Sequence, residues 1–186
     1  PVEMPELPLY PFKDYRKEFS IKNGSHIFAV VGRIRPVKGQ RIILQSFSEL
    51  LKEFPDLILL IIYRDTSDSE PEMKKLRNDI VNLGIESNLR LIPEREDILQ
   101  LMEFVDVGIV SSVESEVICR VAVEFFSVGT PVVAFPTGCL PEIINDGVNG
   151  FLTKSQSYKE LSKKLSILLS EPELFKIMGE AARLDA

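Results

Sequence analysis

The fold of this chain is decided by one stretch of its sequence, Ile27-Phe28-Ala29-Val30-Val31-Gly32-Arg33-Ile34-Arg35-Pro36-Val37-Lys38-Gly39. An apolar run that ends at a glycine is typical of a buried β-strand. Apolar residues with helical spacing follow between residues 43 and 54, which predicts an amphipathic helix that Pro55 stops. The stretch therefore predicts a strand, a glycine-containing loop and a helix in direct succession.

The same alternation of strand and helix patterns continues along the chain. Further strands are predicted at residues 57–62, 89–92, 105–110, 131–135 and 150–152. Further helices are predicted at residues 72–83, 97–104, 122–128, 141–145, 161–169 and 173–184. Short apolar strands that alternate with helices indicate a parallel sheet with helices on both faces. The predicted fold class is α/β, a Rossmann-like doubly wound parallel sheet.

Length and composition fit one globular domain. The chain has 186 residues, of which 45% are hydrophobic and 27% are charged, and these values exclude disordered and collagen-like classes. Two cysteines, Cys119 and Cys139, are too few for a disulfide framework and favour a reducing compartment. The longest apolar run, at residues 57–63, is too short to span a bilayer. We therefore expect a cytoplasmic location.

The charge is distributed unevenly. The net charge of −6 argues against nucleic-acid binding. No acidic residue occurs between residues 21 and 48, whereas this stretch holds five basic ones, Lys22, Arg33, Arg35, Lys38 and Arg41. A basic segment on an acidic domain indicates a small anionic ligand or reflects chance clustering, and charge alone leaves both interpretations open.

Residues 32–39 are a candidate phosphate-binding loop. Ligands of open parallel sheets bind beyond the carboxyl ends of the strands, which is where this loop is predicted to lie. Gly32 permits a close backbone approach, Arg33 offers a planar fork to a phosphate, and Lys38 adds a point charge. The loop lacks the endings of the Walker and dinucleotide-binding motifs. A solvated loop with two turn glycines is the alternative.

Two further segments are candidates for ligand contacts. Glu116 and Glu124 are separated by seven residues at the start of a predicted helix. Carboxylates accept hydrogen bonds from sugar hydroxyls, and the backbone N–H groups between them could bind a phosphate. Two surface glutamates are the alternative. Gly138 lies in a loop after a predicted strand, where its backbone could approach a ligand.

Four fragments in order carry a family resemblance. Residues 32–39, 116–124, 129–134 and 141–152 match Gly-Arg-x4-Lys-Gly, Glu-x7-Glu, Gly-x-Pro-Val-Val-Ala and Pro-Glu-Ile-Ile-x2-Gly-x-Asn-Gly-Phe-Leu. With these fragments the chain resembles the C-terminal, donor-binding domain of the group 1 (family 4) glycosyltransferases. The resemblance covers roughly residue 27 to the end and implies one half of a GT-B fold.

The resemblance implies roles for individual residues. Arg33 and Lys38 would hold the donor diphosphate and stabilise its charge as it leaves, and Glu116 would contact the transferred sugar. These three are the expected catalytic residues, whereas Glu124 would contact the nucleotide ribose. The other expected donor-binding residues are Gly32, Ile118, Cys119, Arg120 and Gly138. Arg120 is either a further phosphate contact or an ordinary charge on the helix surface.

The resemblance also implies an activity. The whole enzyme would move a sugar from a nucleotide-diphosphate sugar to an acceptor hydroxyl with retention of configuration, without a metal or a further cofactor. Residues 1–20, rich in proline, are expected to be a lead-in segment, and residues 21–186 the donor domain. The acceptor, a glycan or lipid-linked sugar, would bind an N-terminal domain absent from this chain. Membrane contact would be peripheral, through the full-length protein, and the isolated domain is expected to be inactive.

One departure from the family pattern supports an alternative function. The family commonly has Glu-Gly-Phe-Gly where this chain has Glu116-Val117-Ile118-Cys119. Cys119 thus replaces a glycine whose backbone approaches the ligand. The alternative is a non-catalytic nucleotide-sugar-binding or scaffold domain with a degenerate GT-B site.

Overall fold

The structure is a computed structural model that describes residues 13–64, 70–114 and 119–186. The strands in these residues are β1 Ile27–Val31, β2 Ile58–Tyr63, β3 Leu89–Pro93, β4 Val107–Val110, β5 Val132–Ala134 and β6 Gly150–Leu152. The α-helices are α1 Tyr15–Glu18, α2 Gln40–Leu50, α3 Glu70–Leu83, α4 Ile98–Phe104, α5 Arg120–Ser127, α6 Leu140–Ile143, α7 Tyr158–Ser170 and α8 Glu173–Asp185. Short 3₁₀ turns occupy Pro36–Lys38 and Glu86–Asn88.

The six strands form one parallel sheet in the order β3-β2-β1-β4-β5-β6. The direction of the strand order reverses between β1 and β4, which pair through Phe28 with Val107 and Ala29 with Gly108. In a doubly wound sheet this reversal opens a crevice at the carboxyl ends of the two strands. The predicted fold class is therefore confirmed, and the crevice lies beside the candidate phosphate loop.

Two apolar cores cover the two faces of the sheet. Successive side chains of β1 alternate between them, because neighbouring residues of a strand point to opposite faces. Phe28 packs with apolar residues of α2, α3 and α7 on one face. Ala29 packs with those of α4, α5 and α6 on the other face. Full burial of a large apolar side chain contributes about 1.5–3 kcal/mol, so both helix layers are held mainly by these cores.

The observed elements differ from the sequence prediction mainly at their ends. Helix α5 begins at Arg120, two residues before the predicted start, so Arg120 lies in its first turn. Strand β4 begins at Val107, since the Asp106 N–H donates to Ile27 O and its carboxylate accepts from Ile27 N at 2.6 Å. Helix α1 was not predicted. It lies in the predicted lead-in and packs on the domain through buried Tyr15; a boundary at residue 20 stays a prediction.

Candidate functional site

The loop after β1 begins and ends at glycines with positive φ. Gly32 has φ 152°, and no atom of the described residues lies near the place a Cβ would take, so the backbone angle favours glycine there. Arg33 follows and is exposed to solvent. The 3₁₀ turn Pro36–Lys38 then leads to Gly39 at φ 68°, from which α2 starts. The loop therefore presents its first cation directly after β1.

The far end of this loop lies against the segment that follows β4. A Cβ on Gly39 would overlap the carbonyl oxygen of Ser111. The Ser111 hydroxyl donates to Lys38 O at 2.7 Å, and the Val113 N–H donates to Val37 O at 2.9 Å. The loops after β1 and β4 are thus joined across the reversal of strand order.

A cavity of about 130 Å³ lies at this junction. The ends of β1 and β4 form its floor, and its walls include Lys38, Gln40, Ser112, Cys119 and Arg120. The structure therefore brings three of the predicted site residues together, Lys38 from one loop and Cys119 and Arg120 from the start of α5. Arg33 and Gly32 belong to the same loop but do not line this cavity.

Cys119 precedes α5 and adopts a backbone conformation open to any residue. Its φ is −85°, so glycine is not required there for conformational reasons. The Cys119 N–H donates to Cys139 Sγ at 3.4 Å. Neither cysteine is in a disulfide. Gly138, with φ 58°, adjoins Cys139 in the loop between β5 and α6, which places this loop beside the start of α5.

Glu124 lies one helical turn after Arg120 and contacts it. Arg120 Nη2 is 3.6 Å from Glu124 Oε1, and the Arg120 side chain is otherwise exposed. Burial raises the pKa of Glu124, and the positive charge of Arg120 acts in the opposite direction. The pair therefore places a carboxyl group and a guanidinium on the same face of α5, one helical turn apart.

Two predicted site residues, Glu116 and Ile118, lie outside the described residues. The roles of the other predicted site residues toward a donor stay predictions. The sequence did not indicate Ser111 or Gln40, whose polar side chains are buried against the loop. Their signal, a polar residue next to a strand end or a helix start, is too common to be selected without the fold.

The basic stretch of residues 21–48 divides into two groups. Lys22 pairs with Asp56 at 3.1 Å, and the Arg41 guanidinium pairs with Asp79 on α3. The other three basic residues, Arg33, Arg35 and Lys38, all belong to the loop after β1. Three of the five basic residues of the stretch therefore lie in the loop beside the crevice.

The described residues contain neither a cluster of metal-binding side chains nor a membrane-spanning helix. No group of three or more histidine, cysteine, aspartate or glutamate side chains within residues 13–64, 70–114 and 119–186 is arranged to hold a metal ion. No helix in the same ranges is long and apolar enough to cross a membrane.

Together, the fold and the loop define a Rossmann-like α/β domain with a cationic loop at the reversal of strand order. The chain belongs to the family described as glycosyl transferases group 1, whose model matches residues 11–185. The resemblance found in the sequence is thereby confirmed: the chain is a C-terminal GT-B domain.

Relatives and solved structures agree with this assignment. The chain is 30% identical over 168 residues to a D-inositol 3-phosphate glycosyltransferase of Segniliparus rotundus, covering 89% of this chain and 37% of the relative. It is 27% identical over 179 residues to spore coat protein SA of Bacillus subtilis, covering 94% and 47%. The chain thus spans less than half the length of these relatives.

Solved structures show the same fold. Anabaena HepE in complex with UDP and glucose superposes with a TM-score of 0.85 at 27% identity, covering 91% of this chain and 45% of HepE. The C-terminal domain of the group 1 glycosyltransferase LpcC from Francisella tularensis has a TM-score of 0.81 at 23% identity. That comparison covers 95% of this chain and 92% of the LpcC domain, and at this identity it supports the fold alone.

Proposed function

We propose that this chain is the donor-binding half of a retaining glycosyltransferase, which moves a sugar from a nucleotide-diphosphate sugar to an acceptor hydroxyl. One observation carries the proposal: Lys38 and the start of α5 line the same cavity where the strand order reverses. A cation and a helix N-terminus that converge on such a crevice suit a diphosphate.

In this proposal the chain supplies charge and position to the leaving group. Negative charge builds on the diphosphate as its bond to the sugar breaks, and fixed cations stabilise that charge. Arg33 and Lys38 belong to the same short loop after β1, and the proposal assigns both to one diphosphate. Glu124 would accept hydrogen bonds from the ribose. The acceptor would be a glycan or lipid-linked sugar, held by a second domain of the full-length protein.

UDP is the first nucleotide to test. Anabaena HepE, which is 27% identical to this chain, was crystallised with UDP and with UDP-glucose. As part of the proposal, we carry UDP over to this chain as the nucleotide of its donor. The cytoplasmic location and the independence from metal stay predictions.

The test is calorimetric titration of the chain with UDP, uridine and inorganic pyrophosphate, in EDTA and again with Mg²⁺. We expect UDP and pyrophosphate to bind in both buffers. Arg33→Ala and Lys38→Ala should each weaken the binding of UDP and pyrophosphate about ten- to hundredfold, since a charge-assisted hydrogen bond contributes about 1.5–3 kcal/mol. Lys22→Ala is the matched control, because Lys22 is a basic residue of the same stretch that pairs with Asp56 away from the crevice.

Two results would contradict this function. If neither pyrophosphate nor UDP binds the wild-type chain, the proposal of a diphosphate site is wrong. If UDP and pyrophosphate bind the wild type, Arg33→Ala and Lys38→Ala with equal affinity, the site does not lie in this loop. A requirement for Mg²⁺ would contradict the metal independence alone.

The second candidate is a nucleotide-sugar-binding or scaffold domain without transferase activity. It is favoured by Cys119, which replaces the family glycine and whose N–H is already bonded to Cys139 Sγ. The full-length protein distinguishes the two functions when it is incubated with UDP-sugars and candidate acceptors. Transfer of sugar supports the enzyme, whereas UDP-sugar binding without transfer or hydrolysis supports the scaffold.

A further inference from the structure

A buried serine holds the backbone of Lys38 in the candidate phosphate loop. Ser111 follows β4 and is 2% exposed. Its hydroxyl donates to the carbonyl oxygen of Lys38 at 2.7 Å, and its own carbonyl occupies the space that a side chain on Gly39 would need. The peptide unit between Lys38 and Gly39 is therefore fixed against the end of β4.

A buried glutamine holds the backbone of Arg33 in the same way. Gln40 is the first residue of α2 and is 3% exposed. Its Nε2 donates to the carbonyl oxygen of Arg33 at 2.7 Å. The two residues proposed to bind the diphosphate thus share one feature, a backbone carbonyl held by a buried side-chain donor.

These two bonds restrict the loop before any ligand arrives. A loop that is already ordered loses less conformational freedom on binding than one that must become ordered. A carbonyl that lost its donor would leave its peptide unit freer to rotate, and would displace the cation attached to the same residue. Small displacements matter because charge-assisted hydrogen bonds to phosphate need close, directed contact.

We propose that Ser111 and Gln40 are positioning residues for the donor diphosphate, acting through Lys38 and Arg33 respectively. This inference rests on the proposed function. It joins the segment after β4 to the loop after β1, so that both sides of the crevice determine where the cations stand.

The experiment compares Ser111→Ala and Gln40→Met with the wild type by titration with pyrophosphate and UDP, well below the melting temperature of each variant. Methionine keeps the length of the Gln40 side chain and removes its donor. We expect each variant to bind both ligands about three- to tenfold more weakly, as for the loss of one positioning hydrogen bond. Affinity for uridine should change less, because the loop contacts the phosphates.

The matched control is Ser46→Ala. Ser46 is a fully buried serine of α2 whose hydroxyl lies 2.9 Å from Ser162 Oγ on α7, away from the loop. This control should lower the melting temperature by a similar amount and leave pyrophosphate affinity unchanged. It separates a loss of stability from a loss of positioning.

A double-mutant cycle tests the route of the effect. If Ser111 acts through Lys38, Ser111→Ala should change pyrophosphate affinity much less in a Lys38→Ala background than in the wild type. Full affinity in both Ser111→Ala and Gln40→Met, with lowered melting temperatures, would overturn the inference while leaving the proposed function intact. Failure of the wild type to bind any diphosphate would instead overturn the proposed function.

Discussion

The ionisation of Glu124 is adjusted by two neighbouring features of α5. Its side chain is 35% exposed, and this partial burial raises its pKa because the charged form is poorly solvated. Arg120, one turn earlier and 3.6 Å away, favours the charged form. An ionised carboxylate is the acceptor that two ribose hydroxyls need. In the proposed function, the balance of burial and Arg120 would therefore set the pH above which Glu124 binds the ribose.

We predict that protonation of Glu124 weakens nucleotide binding at a higher pH than an ordinary glutamate would. The ordinary glutamate pKa is about 4.3, and the raised value moves the loss of affinity toward neutral pH. Uridine has no phosphate that titrates in this range, so its affinity, measured by calorimetry in steps from about pH 7 downward, should fall as Glu124 is protonated. Glu124→Gln should weaken UDP and uridine at pH 7, leave pyrophosphate affinity unchanged and flatten the pH profile of uridine binding.

Arg120→Ala checks the cause of the Glu124 shift. Removal of the cation leaves burial unopposed, so the fall in uridine affinity should move to higher pH. Glu124 should also make the stability of the fold depend on pH, in the opposite sense to a carboxylate whose pKa is lowered by an ion pair. Because the folded pKa is raised, the contribution of Glu124 to stability decreases as pH rises through the interval between its unfolded and folded values. An unchanged pH profile in Glu124→Gln would contradict the ribose assignment.

At the scale of elements, a buried carboxylate attaches α1 to the segment between β3 and α4. Asp97 accepts hydrogen bonds from Arg95 Nε at 2.6 Å, from Lys13 Nζ at 2.5 Å and from the Tyr15 hydroxyl at 3.0 Å. Arg95 also binds Glu18 at 2.5 Å. The hydrogen bond from Arg95 is the main reason that the pKa of Asp97 lies well below its usual range. A helix of four residues is thus held by charge as well as by the burial of Tyr15.

We predict that Asp97→Asn lowers the free energy of unfolding by about 2–3 kcal/mol at pH 7, since it leaves Arg95 and Lys13 without their shared anion. A carboxylate with a depressed pKa stabilises the fold above its unfolded pKa, about 3.9 for aspartate, and this stabilisation is lost as pH falls toward the folded value. Urea unfolding at pH 7 and at about pH 3 should therefore show a smaller difference between wild type and variant at the lower pH.

Asp56→Asn is the control for this network. Asp56 is 67% exposed and pairs with the exposed Lys22, so its loss should cost no more than about 0.5–1 kcal/mol. A variant at Asp97 that unfolds like the Asp56 control would show that the network does not hold α1.

The elements that sequence alone predicts are those with a long apolar pattern. The strands and the longer helices were predicted because their periodicity reports burial directly. Helix α1 was not, since four residues are too short for a period and Tyr15 is buried by a contact with Asp97, 82 positions away. Ser111 and Gln40 were missed for the same reason: each is a common polar residue whose burial depends on the reversal of strand order.

At the scale of the whole molecule, the candidate site lies at the carboxyl ends of the strands, whereas a separate group of structural contacts lies at their amino ends. The carboxyl ends of the strands carry the cationic loop, Ser111 and the start of α5. The amino ends carry His26, which lies 3.6 Å from Asp106 and packs on the ring of Phe175. Burial raises the pKa of Asp106, against the bond from Ile27 N–H. These contacts lie at the opposite end of the strands from the crevice.

This separation predicts where a ligand will slow hydrogen exchange. A ligand at 100 times its dissociation constant stabilises the folded chain by about 2.7 kcal/mol, which slows all amides that exchange through global unfolding. Amides that exchange by local opening respond only near the ligand.

At short labelling times, UDP should therefore protect residues 32–40, 111–114 and 119–124, and leave residues 22–26 and 104–106 unchanged. Pyrophosphate alone should protect 32–40, and uridine alone should not. At a pyrophosphate concentration near the wild-type dissociation constant, Lys38→Ala should strongly reduce this protection. Early protection confined to residues 22–26 and 104–106 would place the ligand at the amino ends of the strands and refute the candidate site.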